Sequence, residues 1–341
     1  MPKVCLGLVL TAALSAAVSP GPGSQAQAAP QPPITLVRIA ALPGRSPADA
    51  SRYLDHPAVQ AGGHVFALRM PDRRLVRLEV RGGTLTAAEV PLPASVYVPL
   101  ALAVDHGGRL LVLDPSVRRV FRFTPAGTGL RDAGSFPVED GADGICAMSG
   151  RVYVYRPGAE HPVTVYSDAG APAGSFGQQF GAGSARRREA LSQGQIFCSV
   201  AERQVIVATS LSGDLRSYGE SGRLLWSRRL SGVQAQPVLD AGEGRISIVS
   251  PRDGSHVLLS VTSIRPGSLL VQHGFRLPGQ GSANRRVESR TIASGSGAEL
   301  GRQDDLPGWL TALGGDRAIS LDQATGAATV WRVAGPRRQP R

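Results

Sequence analysis

The chain has 341 residues, among them 42 glycines, 26 prolines and three cysteines, and its formal net charge is +11. The glycines and prolines fall between short apolar runs, which favours many short strands over helices. The charge comes from arginines spread in pairs at expected turns, and no aromatic residues alternate with the densest arginine groups. This pattern is typical of solvated turns and does not indicate nucleic-acid binding.

Residues 1–28 are predicted to form a cleaved signal peptide. Lys3 precedes an apolar run over residues 4–18, and a small-x-small pattern predicts cleavage after Ala28. The apolar run is shorter than the ~20 residues that a bilayer-spanning helix needs, so we expect no membrane span, with a retained anchor as the alternative. The mature protein is therefore expected to be secreted or periplasmic, with residues 29–33 as a short disordered leader.

The rest of the chain repeats a cadence of short strands separated by turns. After a strand over residues 34–39, six predicted units span residues 59–90, 100–138, 144–176, 195–228, 237–275 and 309–333. Most units show four strands, but the last shows three, and the strand at residues 34–39 is left over. A ring of four-stranded blades in which this N-terminal strand completes the last blade uses every strand and protects the sheet edges.

The predicted fold is therefore an all-β, six-bladed β-propeller of four-stranded antiparallel blades over residues 34–334. A basic C-terminal tail follows at residues 335–341. Two features leave a seven-bladed ring or a pair of β-sandwiches open as alternatives. The first strand of the first unit is poorly defined, and residues 278–306 form an irregular segment between the fifth and sixth units.

Cys146 and Cys198 remain after cleavage, and two cysteines in an oxidising compartment form a natural pair. Both lie at the same phase of successive units, and equivalent positions of neighbouring units are close together in a circular array. We therefore predict a disulfide bond, which would contribute about 4 kcal/mol in the chain-entropy model. Two buried free thiols are the alternative. Metal binding is not favoured, because neither cysteine has a histidine or second cysteine at ligand spacing.

Four stretches resemble the NHL-type pattern of secreted bacterial six-bladed β-propellers. They are GRLLVLD at residues 108–114, VFRF at 120–123, GSFGQQFGAG at 174–183 and GRLLW at 222–226. The resemblance covers most of residues 34–334 and implies the propeller fold. It implies no particular function, because propellers serve as enzymes, receptors and scaffolds alike.

Propellers that resemble gluconolactonases hold a divalent metal on the ring axis with carboxylates and an asparagine, which are ligands that suit hard cations. The candidate residues for such a site here are Asp105, Asp143, Asp240, Asp304, Asp305 and Asn284. Asp105 and Asp240 are the two that could point at the axis in such a site. The residue pattern nevertheless favours turn-forming aspartates, and Asn284 falls in the irregular segment. We therefore assign no catalytic residue, no cofactor and no metal ligand.

The remaining candidate residues favour structural roles. The histidines at positions 56, 64, 106, 161, 256 and 273 show no paired ligand spacing and are expected in turns or on the surface. Trp226, Trp309 and Trp331 are expected to pack between blades. The acidic pair Asp304 and Asp305 could contact a cation or a basic ligand at one axial face, but solvent exposure is the favoured interpretation.

The sequence as a whole favours an exported binding module over an enzyme. A rigid propeller would present the long loops at residues 178–192 and 279–305 to an unknown protein, peptide or glycan at one axial face. We expect a monomer. Two other hypotheses stay open: a metal-dependent hydrolase or lyase with an axial metal, and polyanion binding by the arginines.

Overall fold

A computed structural model describes residues 31–42, 53–54, 57–70, 72–233, 238–242, 245–248, 256–276, 285–322 and 326–334. The predicted signal peptide at residues 1–28, its cleavage site at Ala28 and the tail at residues 335–341 lie outside these ranges. Within them, no helix has the length and apolar character that crossing a membrane requires.

The first half of the chain forms three antiparallel blades after an N-terminal strand. That strand is β1 (Thr35–Leu42). Blade 1 contains β2 (Tyr53–Leu54), β3 (Val59–Ala61), β4 (His64–Met70), β5 (Arg74–Arg81) and β6 (Thr84–Glu89), and both β2 and β3 pair with β4. Blade 2 contains β7 (Ala101–Val104), β8 (Leu110–Asp114), β9 (Arg119–Ala126) and β10 (Gly129–Pro137). Blade 3 contains β11 (Gly144–Met148), β12 (Arg151–Tyr155), β13 (Val163–Ser167) and β14 (Pro172–Phe176).

The second half adds three more blades, one short helix and one hairpin. The helix α1 (Ala185–Ser192) precedes blade 4, which contains β15 (Gly194–Ser199), β16 (Gln204–Thr209), β17 (Asp214–Gly219) and β18 (Leu224–Arg229). The hairpin contains β19 (Val238–Asp240) and β20 (Ile246–Ile248). Blade 5 contains β21 (His256–Arg265), β22 (Ser268–Arg276), β23 (Arg285–Ala293) and β24 (Glu299–Gln303). Blade 6 contains β25 (Leu310–Gly314), β26 (Arg317–Leu321) and β27 (Ala328–Ala334).

The inner strands close a ring. They are β3, β7, β11, β15, β21 and β25, and each contacts the inner strand of the next blade. The last of them, β25, contacts β3, so the circle is complete. A radial arrangement of this kind explains why β8, a central strand, is buried at all five positions: neighbouring blades cover both of its faces.

The N-terminal strand completes blade 6. β1 pairs antiparallel with β27, from Thr35 opposite Ala334 to Leu42 opposite Ala328. This confirms the predicted closure of the last blade. Upstream of β1, Arg265 donates hydrogen bonds to the carbonyl oxygens of residues 32 and 33 at 2.7 and 2.9 Å, so this part of the predicted leader contacts blade 5.

Blade 5 corrects the strand assignment made from the sequence. The segments at residues 237–239 and 245–249 were predicted as its first two strands, but in the structure β19 and β20 pair with each other in a separate sheet. Residues 278–306, predicted to be irregular, contain β23 and β24, which are the outer strands of the blade. In the loop predicted at residues 279–305, the described part, from residue 285 onward, is therefore largely strand.

Buried polar residues explain why this pair of strands was missed. β23 carries Arg290, whose side chain is only 1% exposed and forms ion pairs with Glu288 and Glu299. It also buries Ser289. A strand that buries an arginine and a serine shows no clear apolar alternation, which is the signal that identifies strands in a sequence.

Apolar clusters fill the junctions between blades. Six such clusters are found among the described residues, and each combines side chains of two neighbouring blades. Trp226 lies in the cluster between blades 4 and 5, where its indole Nε1 donates to the carbonyl oxygen of Ser294 at 2.6 Å. Its position agrees with the predicted packing between blades.

Candidate functional site

A cavity of about 500 Å³ lies on the axis of the ring, lined by residues of all six blades. The inner strands supply most of the lining, because they are the strands that surround the axis. Apolar side chains predominate, among them Ala103, Ile145, Ile196, Val261 and Leu313. A concave, mostly apolar space of this size with few polar groups is typical of a small-molecule site.

Asp143 lines one end of the cavity, immediately before the first residue of β11. Its backbone N–H donates to the carbonyl oxygen of Tyr155 at 2.8 Å, which extends the pairing of β11 with β12 by one bond. Within the described chain, its carboxylate has no hydrogen-bond or ion-pair partner. Burial raises the pKa of this carboxyl above its ordinary value, because removal from water disfavours the charged form.

Gln195 occupies the place in blade 4 that Asp143 occupies in blade 3, since each lies three residues before a cysteine of the disulfide. The Gln195 side-chain nitrogen donates to the backbone carbonyl oxygen of Leu259 in blade 5 at 3.0 Å. Successive blades therefore use this position differently: one side chain bridges to the next blade, and the other leaves a carboxylate in the cavity.

The disulfide joins the inner strands of blades 3 and 4. Cys146 lies on β11 and Cys198 on β15, their Cα atoms are 5.6 Å apart, and both residues line the cavity. The bond fixes the two strands in register. Gly144 and Ile196, each two residues before the cysteine of its strand, lie against each other. The bond therefore also fixes the spacing between Asp143 and Gln195.

The far end of the cavity has no charged side chain among the described lining residues. Val200 lines it and follows the last residue of β15. Because Gln195 is five residues before Val200 and strands rise about 3.3 Å per residue, the two ends of the cavity are roughly 16 Å apart. The cavity thus has the Asp143 carboxylate at one end and the Val200 side chain at the other. Val200 is 65% exposed.

The loop at residues 178–192 packs beside the Asp143 end. The Tyr155 hydroxyl donates to the backbone carbonyl oxygen of Ser192, the last residue of α1. The Ser192 hydroxyl oxygen accepts a hydrogen bond from the backbone N–H of Phe180 at 2.8 Å, and the guanidinium of Arg216 stacks 3.9 Å from the Phe180 ring centroid. This loop, predicted to be irregular, therefore contains a helix fixed to blades 3 and 4.

The other candidate carboxylates lie elsewhere. Asp105 lies in the turn after β7 and pairs with Arg109 at 2.6 Å, which agrees with the favoured interpretation of a turn-forming aspartate. Arg109 also pairs with Asp168 of blade 3, so Asp105 belongs to an ion-pair network that links blades 2 and 3. Asp304 pairs with Arg286, and the neighbouring residue 305 is exposed.

Two further candidates fall partly or wholly outside the described residues. The backbone of Asp240 ends β19 in the separate hairpin, and its side chain lies outside what the structure describes. Asn284 also lies outside the described residues. The one candidate that the structure brings to the cavity is Asp143, and the sequence had included it without expecting it to face the axis.

None of the described histidines lines the cavity. His273 was expected in a turn or on the surface, but this was wrong: it lies on β22 and is 1% exposed. Burial, followed by the charge of Arg290 and by His256, lowers its pKa to about 3. Across the described ranges, no three side chains of histidine, cysteine, aspartate or glutamate come together to hold a metal ion. His56 lies outside those ranges.

Comparison with solved structures identifies the fold. A member of the DUF4221 family from Bacteroides vulgatus is 8% identical, with a TM-score of 0.55 over 89% of this chain and 99% of the other. A putative exported protein from Bacteroides fragilis is 9% identical, with a TM-score of 0.55 over 89% and 96%. Virginiamycin B lyase from Staphylococcus aureus is 11% identical, with a TM-score of 0.47 over 89% and 100%.

The class that the topology defines is a six-bladed β-propeller closed by its N-terminal strand. No protein-family model matches the chain, and no curated protein matches it by sequence. The finer resemblance to NHL-type propellers therefore stays a prediction. At these low identities, the similar structures show the fold alone.

Proposed function

We propose that this protein is an exported binding propeller and that the group it recognises enters the cavity on the ring axis. The observation that carries this proposal is the cavity itself: about 500 Å³, lined by all six blades, mostly apolar, with one free carboxylate at its end. Ligand sites of soluble proteins commonly enclose roughly 300–1,000 Å³ and combine an apolar lining with a few polar groups.

The rigidity of the lining supports a binding role. Every inner strand is paired within its own blade and contacts the inner strands on both sides, so the cavity is formed before any ligand arrives. The Cys146–Cys198 bond adds a covalent constraint within the lining. A preformed site avoids the entropic cost of ordering its walls during binding, which increases affinity for a given contact area.

Export is the second part of the proposal. A disulfide between inner strands persists in an oxidising compartment and is rarely maintained in a reducing cytoplasm. The apolar N-terminal segment and the small-x-small pattern ending at Ala28 provide the route. Together they support a secreted or periplasmic protein. The partner can be a free small molecule, or a side group of the protein, peptide or glycan expected from the sequence.

The cavity proposal is tested by narrowing the cavity. Ala147 lines it, so Ala147→Phe should fill much of the space and weaken every ligand that enters. Ala87→Phe is the matched control, because Ala87 is exposed on β6 at the outer edge of blade 1. Binding of 1-adamantanol, a neutral compact probe, is measured by isothermal titration calorimetry for the mature protein and both variants. Weaker binding in Ala147→Phe alone supports the site, and equal binding in both variants contradicts it.

A further inference from the structure

The chemistry of the lining specifies more than a small apolar ligand. Asp143 is the only charged residue among the described residues that line the cavity. None of the arginines in the described ranges lines it, although the chain carries a net charge of +11. The one formal charge in the described lining is therefore negative, in a chain whose net charge is positive.

The Asp143 carboxylate is not neutralised from within the protein. Its polar neighbours are already engaged: the Tyr155 hydroxyl donates to a backbone carbonyl, and the Gln195 amide nitrogen donates to Leu259. A partly buried carboxylate without a partner destabilises the empty protein, because ionisation in an apolar surrounding loses hydration without compensation. A cation or a strong hydrogen-bond donor in the cavity would remove this cost.

A divalent metal ion does not fit this position. Calcium takes six to eight oxygen ligands, and magnesium demands a near-octahedral set. The described lining supplies one carboxylate, and its remaining surface is mostly aliphatic. A single carboxylate beside aliphatic walls is instead complementary to one ammonium group attached to an apolar body.

From this arrangement we infer that the axial cavity binds an organic amine, with its ammonium group against Asp143 and its apolar body along the aliphatic lining towards Val200. The inference rests on the proposed function, because it names the ligand class of the same cavity. The length of the cavity, roughly 16 Å from the carboxylate end to the Val200 end, allows a body of several rings or a chain of about ten methylene groups.

The test uses three compounds that share one apolar body: 1-adamantanamine, which is cationic at neutral pH, neutral 1-adamantanol and anionic 1-adamantanecarboxylate. Each is titrated calorimetrically into the mature protein, into Asp143→Asn and into Asp143→Glu. The matched control is Asp305→Asn, which removes one negative charge at an exposed position away from the cavity. Thermal melting of each variant verifies that it is folded.

The expected result separates charge from shape. The amine should bind the wild-type protein at least about tenfold more tightly than the alcohol, which corresponds to ~1.4 kcal/mol, and the carboxylate should bind most weakly. Asp143→Asn should lower the amine affinity to that of the alcohol and leave the alcohol unchanged. Asp143→Glu should retain most of the preference for the amine, and Asp305→Asn should behave as the wild-type protein does.

Two results would overturn the inference in distinguishable ways. If all three compounds bind equally and Asp143→Asn changes none of them, the cavity is a ligand site without a charge preference, so the amine inference fails and the proposed function stands. If none of the compounds binds the wild-type protein, or if Ala147→Phe leaves their binding unchanged, the axial cavity is not the site and both proposals fail.

Discussion

Two junctions of the ring are fastened by different physical means. Blades 3 and 4 are joined covalently at the axis through Cys146 and Cys198. Blade 6 is completed without a covalent bond, because its outer strand β1 comes from the N-terminal part of the chain and its other three strands come from the C-terminal part. There β1 pairs with β27 along the outer edge, and a single parallel pair, Ala41 with Thr84, links it to β6 of blade 1.

The two junctions differ in what their failure would affect. The disulfide lies in the cavity lining, three residues after Asp143 in blade 3 and after Gln195 in blade 4, so its first effect is on the geometry of the site. The β1 closure lies at the periphery, far along the sheet from the axis, and its first effect is on whether the ring closes. We therefore expect the closure to dominate stability and the disulfide to dominate the spacing of the site residues.

The largest effect is expected at the closure. Ala40 on β1 is 1% exposed within the apolar cluster between blades 6 and 1. Ala40→Asp would bury an unpaired carboxylate there and should lower the free energy of unfolding by about 3–5 kcal/mol. Val37→Asp on the same strand is the matched control, because Val37 is 45% exposed, and its cost should stay below ~1 kcal/mol. Urea denaturation followed by circular dichroism measures both, and equal costs would contradict the described closure.

The next effect is expected at the disulfide. Replacing Cys146 and Cys198 together by serine should lower the free energy of unfolding by about 2–4 kcal/mol, since the bond closes a loop with a sequence separation of 52. The same denaturation experiment on the wild-type protein with and without a reducing agent gives an independent value. If the two values agree, the contribution of the disulfide to the free energy of unfolding can be compared directly with that of the β1 closure. A double variant as stable as the oxidised protein would show that the covalent link contributes nothing.

A smaller effect is expected at a polar contact between blades 4 and 5, beside the apolar cluster that fills this junction. Arg290 of β23 donates to the backbone carbonyl oxygen of Ser231 and pairs with Glu288 and Glu299. Arg290→Met should cost about 2–3 kcal/mol, because it removes the buried cation that pairs with Glu288 and Glu299, although Glu299 keeps its ion pair with Arg302. Arg302→Met, which removes an arginine 47% exposed at its side chain, should cost less than ~1 kcal/mol. If the two variants melt alike, β23 is not the buried third strand of blade 5.

The smallest effect is expected at Asp143 and has the opposite sign. Burial raises its folded-state pKa above the unfolded value of about 3.9, so its contribution to stability is fully present below that pH and is lost as pH rises through the folded-state pKa. Asp143→Asn should therefore melt higher than the wild-type protein at pH 7, by on the order of 1–3 °C, with the difference vanishing near pH 4. Asp305→Asn should follow the wild-type curve at every pH. A lower melting temperature for Asp143→Asn at pH 7 would show that the carboxylate has a stabilising partner.

Blade 3 shows what the sequence specified well. Its predicted strands at residues 144–148 and 152–155 match β11 and β12. The match follows from short runs rich in branched and aromatic residues that are separated by turn residues. The circular order of the units also led correctly to the β1 closure. These features depend on local pattern and on counting strands, and both can be read from one chain.

Blade 5 and the cavity contain the features that the sequence pattern did not predict. The third strand of blade 5 buries Arg290 with its two glutamates, and no local periodicity reveals that such an arginine is compensated by residues on other strands. Asp105 forms an ion pair with Arg109, whereas Asp143 lines the cavity. The sequence alone does not show which of the two aspartates an arginine will pair with. The equal spacing of Asp143 and Gln195 from the two paired cysteines was the one sequence signal that could have placed Asp143 beside the axis.

The most direct measurement is a crystal structure of the mature protein with 1-adamantanamine bound. The ammonium nitrogen should lie within about 4 Å of a carboxylate oxygen of Asp143, with the cage against the aliphatic lining of the axial cavity. A cavity that stays empty in crystals soaked at saturating amine, or an amine bound with its nitrogen towards Val200, would contradict the assignment of this cavity as a site for apolar amines.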